Sequence, residues 1–267
     1  MARIRTLLRL MPWVLGSALL AVLGLAAVRE VAPFGTLRSS NDVLGSYLQT
    51  LGSIYAVLLA FVAYTVWQQF NESRTQVERE ASEIRELFRI TRALAEPKRA
   101  RLQMHLHQYV CGVLDLEWVV MAERNGTHDV ASVAAVLDAI WDELIGLEPN
   151  SECEKIVVAE GMSCFNQLCN ARTARLSTSQ LRMPRPLRLL LYIGAVILVC
   201  STWLFAVDSF ALHAFVTGAS TAAVSHVLYV IEDLDDCFAG DWQVPRAAFL
   251  RVREMRAEGH ASSDRQM

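Results

Sequence analysis

The densest set of polar side chains within an apolar run is His213, Thr217, Ser220, Thr221, Ser225 and Tyr229. At 100° per residue they occupy about half the circumference of one helix. Two chemistries fit such a face. Hydroxyls and an imidazole can replace part of an ion's hydration and line a water-filled path. Equally, Ser and Thr can bond back to helix carbonyls or to a neighbouring helix, with Ala214, Gly218 and Ala222 permitting close approach. A second cluster follows, where Glu232, Asp233, Asp235, Asp236 and Asp241 crowd the segment from Ile231 to Trp242. Oxygen ligands near a glycine are what a hard cation such as calcium needs, although the spacing is not that of an EF-hand. The same carboxylates can cap helix ends or pair with Arg246 and Arg251. His105 and His107 diverge on a helix, and Cys164 and Cys169 are poorly spaced for a shared metal. Nothing resembles a nucleophile elbow or an HExxH zinc motif. No catalytic residue is expected and, calcium apart, no cofactor.

These side chains must be positioned by helices in a membrane. The chain has 267 residues of which 53 % are hydrophobic, and its mean hydropathy is +0.28, which excludes a plain soluble enzyme. A net charge of −3 without a long basic patch excludes nucleic acid as a partner. Six cysteines without a CxxC pair read as reduced thiols.

The apolar excess sits in four blocks. The first runs from Met11 to Val28, and its eighteen residues reach about 27 Å, enough to cross a bilayer core. A cleaved leader is its rival reading; against that, the run exceeds a usual leader core and no small-x-small site precedes Arg29. The second, Tyr47 to Trp67, is edged by aromatics suited to headgroup depth. The third and fourth, Leu187 to Ala206 and Phe210 to Ile231, are separated only by a turn at Asp208 and form an antiparallel hairpin. Arginines precede the first span, follow the second, border the third and follow the fourth, while the intervening loops hold few. Both termini and the central region are therefore expected in the cytoplasm, where the sequons at Asn71 and Asn125 would escape glycosylation.

On the second span, Gly45, Gly52, Ala56, Ala60 and Ala63 make a small-residue stripe, expected to meet a helix of the same or a neighbouring chain. That span continues as a helix to about Leu94, with Val77, Ala81, Ile84, Phe88 and Thr91 inward. A second helix, Lys98 to Arg124, would bury Leu102, Leu106, Tyr109, Val113, Leu116 and Val120. After a turn at Arg124–His128 come a third, Asp129 to Leu147, with Val133, Leu137, Ile140, Trp141 and Leu144 inward, and a fourth, Ser151 to Leu181. The fold class is all-α. An N-terminal transmembrane pair (1–67) and a C-terminal hairpin (187–231) flank a cytoplasmic helical bundle (68–186), and a cytoplasmic tail (232–267) follows.

Several segments resemble a family of bacterial membrane proteins described as bestrophin-like. They are Tyr55-Ala-Val-Leu-Leu-Ala-Phe-Val with Trp67-Gln-Gln-Phe-Asn71, Val77-x-x-Glu80-Ala81 with Leu87-x-x-Ile90, and Glu117-Trp118. Arg172-x-x-Arg175-Leu176 with Pro184, and Leu234-Asp235-x-x-Phe238-x-Gly240, complete the set. The resemblance covers most of the chain beyond Leu48. It implies kinship to bestrophins, oligomeric anion channels with a calcium-binding acidic segment after a membrane helix. Cys237 stands where a proline is usual in that segment.

The expectation is a homo-oligomeric protein of the bacterial inner membrane that passes small inorganic ions, anions above all, with spans two and four around the path. The partners are then the lipid bilayer and further copies of the chain. The alternative is a membrane-anchored sensory or scaffold protein whose long cytoplasmic helices bind a partner. Glu117, Arg172 and Arg175 are expected to form interhelical ion pairs under either reading.

Overall fold

The computed structural model describes residues 2–31, 41–123, 131–149 and 151–263, which are helical without a strand. The expected turn at Arg124–His128, the sequon at Asn125 and most of the loop after Arg29 lie outside the described residues. In chain order the helices are α1 (Ala2–Val31), α2 (Asn41–Thr91), α3 (Lys98–Gly112), a π-helical turn (Val113–Glu117) and α4 (Trp118–Ala122). Then follow α5 (Ala131–Ile145), α6 (Glu152–Gln180), α7 (Arg185–Trp203), α8 (Phe210–Asp235) and α9 (Ala247–Ser263). The chain forms two compact units, one from residues 1–68 and 182–235 and one from 69–181 and 236–267.

The first unit holds α1, the start of α2, α7 and α8. All four helices are long and apolar enough to cross a membrane, with mean hydropathies of 2.0, 1.7, 1.7 and 1.5. Helices α7 and α8 touch where Thr202, near the end of one, faces Thr217 of the other. The expected N-terminal pair is corrected. Helix α1 rests mainly on α8, and on α7, instead of pairing chiefly with α2. The reason lies in small side chains: a Cβ on Gly218 would meet Val22 at 3.4 Å, and Ser17 reaches Ser225 at 2.7 Å. Such residues let helices approach where no hydrophobic drive separates lipid from protein.

Helix α2 meets α7 through Tyr55. Its hydroxyl donates to the Leu191 carbonyl at 2.8 Å, and its ring fills the notch at Gly194, where a Cβ would lie 2.6 Å from the ring. Asn41, at the start of α2, clamps Ala206 by donating to its carbonyl and accepting from its amide, both at 3.1 Å.

In the second unit, α2 buries Val77, Ala81, Ile84 and Thr91 as expected, but Leu87 is buried where Phe88 was expected and Phe88 is only half-buried. Helix α5 buries Val133, Leu137, Ile140 and Leu144, as its periodicity requires, but Trp141, expected inward with them, is half-buried and stacks on Phe165. Ser151 caps α6 by accepting from the Glu154 amide at 3.1 Å. The larger correction is in the α3–α4 segment. Leu116 is exposed and Val120 half-buried, while Leu114, Glu117, Trp118 and Met121 are buried. The π turn inserts an extra residue into the helical period, so every inward position after Val113 moves on by about one.

Replacing Gly194 with Ala should destabilise the first unit by about 1–3 kcal/mol, because the Tyr55 ring is pinned by its hydroxyl. Thermal unfolding in detergent will read the loss, and Tyr55→Leu in the same chain should recover part of it.

Candidate functional site

The polar face of α8 looks into the first unit. His213, Thr217, Thr221 and Ser225 follow one another at four-residue steps and are all buried. The His213 Nε2 lies 2.9 Å from the Thr202 carbonyl, and the Thr202 and Thr217 hydroxyls are 3.3 Å apart. Thr221 donates to the Thr217 carbonyl at 2.8 Å, and Ser225 meets Ser17. Ser220 is exposed and Tyr229 half-buried, so both sit off the buried line. The arrangement matches hydroxyls that bond their own helix and glue it to α1 and α7.

The acidic segment divides between the units. In the first, Asp235 accepts from the Met183 amide at 2.6 Å and from Arg188 Nη2 at 2.7 Å. Glu232 pairs with Arg188 at 2.9 Å. Pro184 precedes the first turn of α7, and Pro186 occupies that turn, where the missing amide is no loss. In the second, Asp236 accepts from the Ala239 amide at 3.2 Å, and Gly240 takes a φ of 84°, a left-handed turn position that favours glycine. That turn seats Phe238 edge-on against Trp118, with centroids 5.5 Å apart. Phe249 of α9 takes a second edge contact at 6.1 Å, and Arg246 lies over the indole at 5.4 Å.

Arg175, whose guanidinium lies over the Phe249 ring at 5.9 Å, is wholly buried. It donates from Nε to Glu80 at 2.6 Å and from Nη2 to Glu80 at 3.1 Å and to Glu117. Arg172 donates to Glu117 from Nε at 2.9 Å. Tyr109 completes the set by donating to Glu80 at 2.6 Å. Burial opposes the Arg175 charge, but the Glu80 and Glu117 carboxylates hold its pKa above the ordinary value. Burial, with the Glu80 charge, pushes the Tyr109 phenol well above its usual range, so it remains a donor. The expected interhelical pairs of Glu117, Arg172 and Arg175 are present. Glu80, the second carboxylate, is the partner that periodicity placed on a charged outer face.

The sequence matches the bestrophin-like domain family over residues 15–249. The chain belongs to the bestrophin-like family. Its fold is similar to that of a variant of a bacterial bestrophin homologue from Klebsiella pneumoniae, with a TM-score of 0.70 at 17 % identity over 91 % of this chain and 96 % of that one. A second variant of that homologue gives 0.70 at 15 % identity over 91 % and 98 %. The homologue solved by zinc phasing gives 0.65 at 16 % over 93 % and 95 %. No curated protein matches by sequence. With four helices suited to a bilayer, this bestrophin-like chain is a membrane protein.

A calcium ion would have to be held by the bestrophin-like chain's carboxylates around the end of α8. Glu232 and Asp235 are committed to Arg188, and among the described residues no three His, Cys, Asp or Glu side chains converge as metal ligands. Asp235 spends its two oxygens on the Met183 amide and Arg188, and Glu232 is paired with the same guanidinium. The small-residue stripe of α2 is split: Gly52 approaches Leu198 at a built-Cβ distance of 3.9 Å, while Ala56 and Ala60 are exposed. Gly45 has open space around its Cα.

Asp235→Ala should leave the Met183 amide and Arg188 short of an acceptor and lower stability by about 2–3 kcal/mol. Asp235→Asn, which retains an acceptor for the amide, should lose less, and unfolding in detergent will compare them.

Proposed function

We propose that the bestrophin-like chain is the subunit of a homo-oligomeric anion channel in the bacterial inner membrane, with α2 facing the conducting path. Bestrophins as a family are anion channels, and membership in that family is the starting point. The observation that carries the reading to particular residues is the unpartnered face of α2. Ile54, Val57, Phe61 and Tyr64 recur at helical spacing and are 64, 71, 65 and 61 % exposed, with Ala56 and Ala60 beside them. Small residues beside such a face let a helix of another copy approach closely, as Ala56 and Ala60 would here. The α8 polar face is already spent on α1 and α7, so it leaves α2 as the helix for the path.

Arginine placement supports cytoplasmic termini, because Arg74, Arg79 and Arg85 after the second span, Arg182 and Arg185 before the third and Arg246, Arg251 and Arg253 after the fourth would share one side. Such a concentration raises the local anion level at a pore mouth. Small inorganic anions are the substrates, and no chemical step is required of the chain.

Purified protein in planar bilayers under a tenfold chloride gradient should reverse near the chloride potential, about 59 mV from zero. Phe61→Ala should change unitary conductance while the detergent particle keeps its mass. Reversal at the cation potential, no conductance over a range of pH, or a strictly monomeric particle would contradict the proposal.

A further inference from the structure

Between α1, α7 and α8, within the first unit, lies a groove of about 270 Å³. Trp13 and Leu20 of α1, Ala195 and Val199 of α7, and Trp203 and Thr221 at its far end contribute to the lining. None of its lining residues is charged. The hydroxyls that reach it are already engaged: Ser17 and Ser225 Oγ atoms are 2.7 Å apart, Ser17 Oγ is 2.9 Å from the Val14 carbonyl, and Thr221 donates to Thr217. Among the described lining residues Trp203 Nε1 is a buried polar atom without a partner; a single N–H falls short of the roughly two to four partners an ordered water needs, so the groove stays dry.

Its dimensions narrow the choice of occupant. From Tyr192 to Trp203 the lining follows α7 for about 16 Å, roughly half of a 30 Å hydrocarbon core. On α1 it starts at Trp13, one turn beyond Arg9, and Trp203 at the other end packs against Gly24, short of Arg29. The groove thus lies within the depth that acyl chains occupy. Its volume spread over that length leaves a slot narrower than a helix about 10 Å in diameter. Trp13, Leu20 and Val196 on its rim are 54, 72 and 60 % exposed, so it opens sideways to the surrounding medium.

We propose that this groove is a seat for one acyl chain of a membrane phospholipid, held against Ala195 and Val199 with its length running between Trp13 and Trp203. The lipid acts as a packing element among α1, α7 and α8, independent of ion conduction.

The full chain, loaded with phosphatidylcholine brominated along its acyl chains and then exchanged into detergent to remove excess lipid, supplies the test. Native mass spectrometry should find one phospholipid retained per chain. The Trp203 emission, taken as the difference between the wild-type chain and Trp203→Phe, should fall at least twofold relative to unbrominated lipid. Val199→Phe and Ala195→Phe, which fill the slot, should each retain at least tenfold less lipid. Retention unchanged by the fillings would place the lipid elsewhere and overturn the proposal. Should the filled variants fail to fold, the wild-type measurement decides alone: no retained lipid, or retained brominated lipid without loss of Trp203 emission, overturns it, as a neighbouring copy's side chains sealing the groove would.

Discussion

A guanidinium with no access to water governs the second unit. Arg175 can remain charged there only because Glu80 and Glu117 surround it, and these carboxylates can be buried only because Arg175, Arg172 and Tyr109 supply their donors. Two positive and two negative groups leave the set neutral, which removes most of the penalty of burying an isolated charge. Such a set adds little stability over an apolar core of equal volume, but it is intolerant of partial loss. It also ties α2, the π turn and α6 at one point, since each contributes a charged member. The π turn matters for this reason, because it brings Glu117 and Trp118 inward together.

The same locality explains the turn after α8. Trp118, next to Glu117 in the chain, makes edge-to-face contacts with Phe238 and Phe249, and the second unit takes residues on either side of the 182–235 segment. Phe238 reaches the indole because Gly240 closes the turn in a left-handed conformation. The motif Leu234-Asp235-x-x-Phe238-x-Gly240 therefore joins two local jobs. Asp235 accepts the Met183 amide in one unit, and Phe238 packs in the other.

Much of this was legible in the sequence. The four spans follow from apolar length, and the inward faces of α5 and of the second half of α2 follow largely from 3.6-residue spacing. Trp118 and the arginine pair were singled out by resemblance and their pairing was expected on helical geometry. The π turn was not legible, since Val113 to Glu117 has no residue that marks an inserted position, and the error passed to Leu116 and Val120. Glu80 was quoted in a resembling motif but given no partner, because a periodic reading sends a glutamate outward, whereas pairing with a buried arginine overrides that preference. On α8 the sequence showed a polar face but not its direction. Ser17 and Thr202, whose hydroxyls reveal the direction, carry no distinguishing pattern of their own. Nor could composition tell that α1 would choose α8 over α2, because close approach depends on which small residues meet.

The most direct test of this account is the unfolding free energy of the purified full chain across a set of substitutions in the buried charges. Arg175→Met alone should lose about 3–5 kcal/mol, because it strands Glu80 and Glu117 without their shared donor. Combining it with Glu80→Gln and Glu117→Gln should return most of that loss, since the carboxylate charges it strands are then gone. Additive losses across the three substitutions, or an Arg175→Met chain as stable as the wild type, would contradict the claim that these charges fold as one unit.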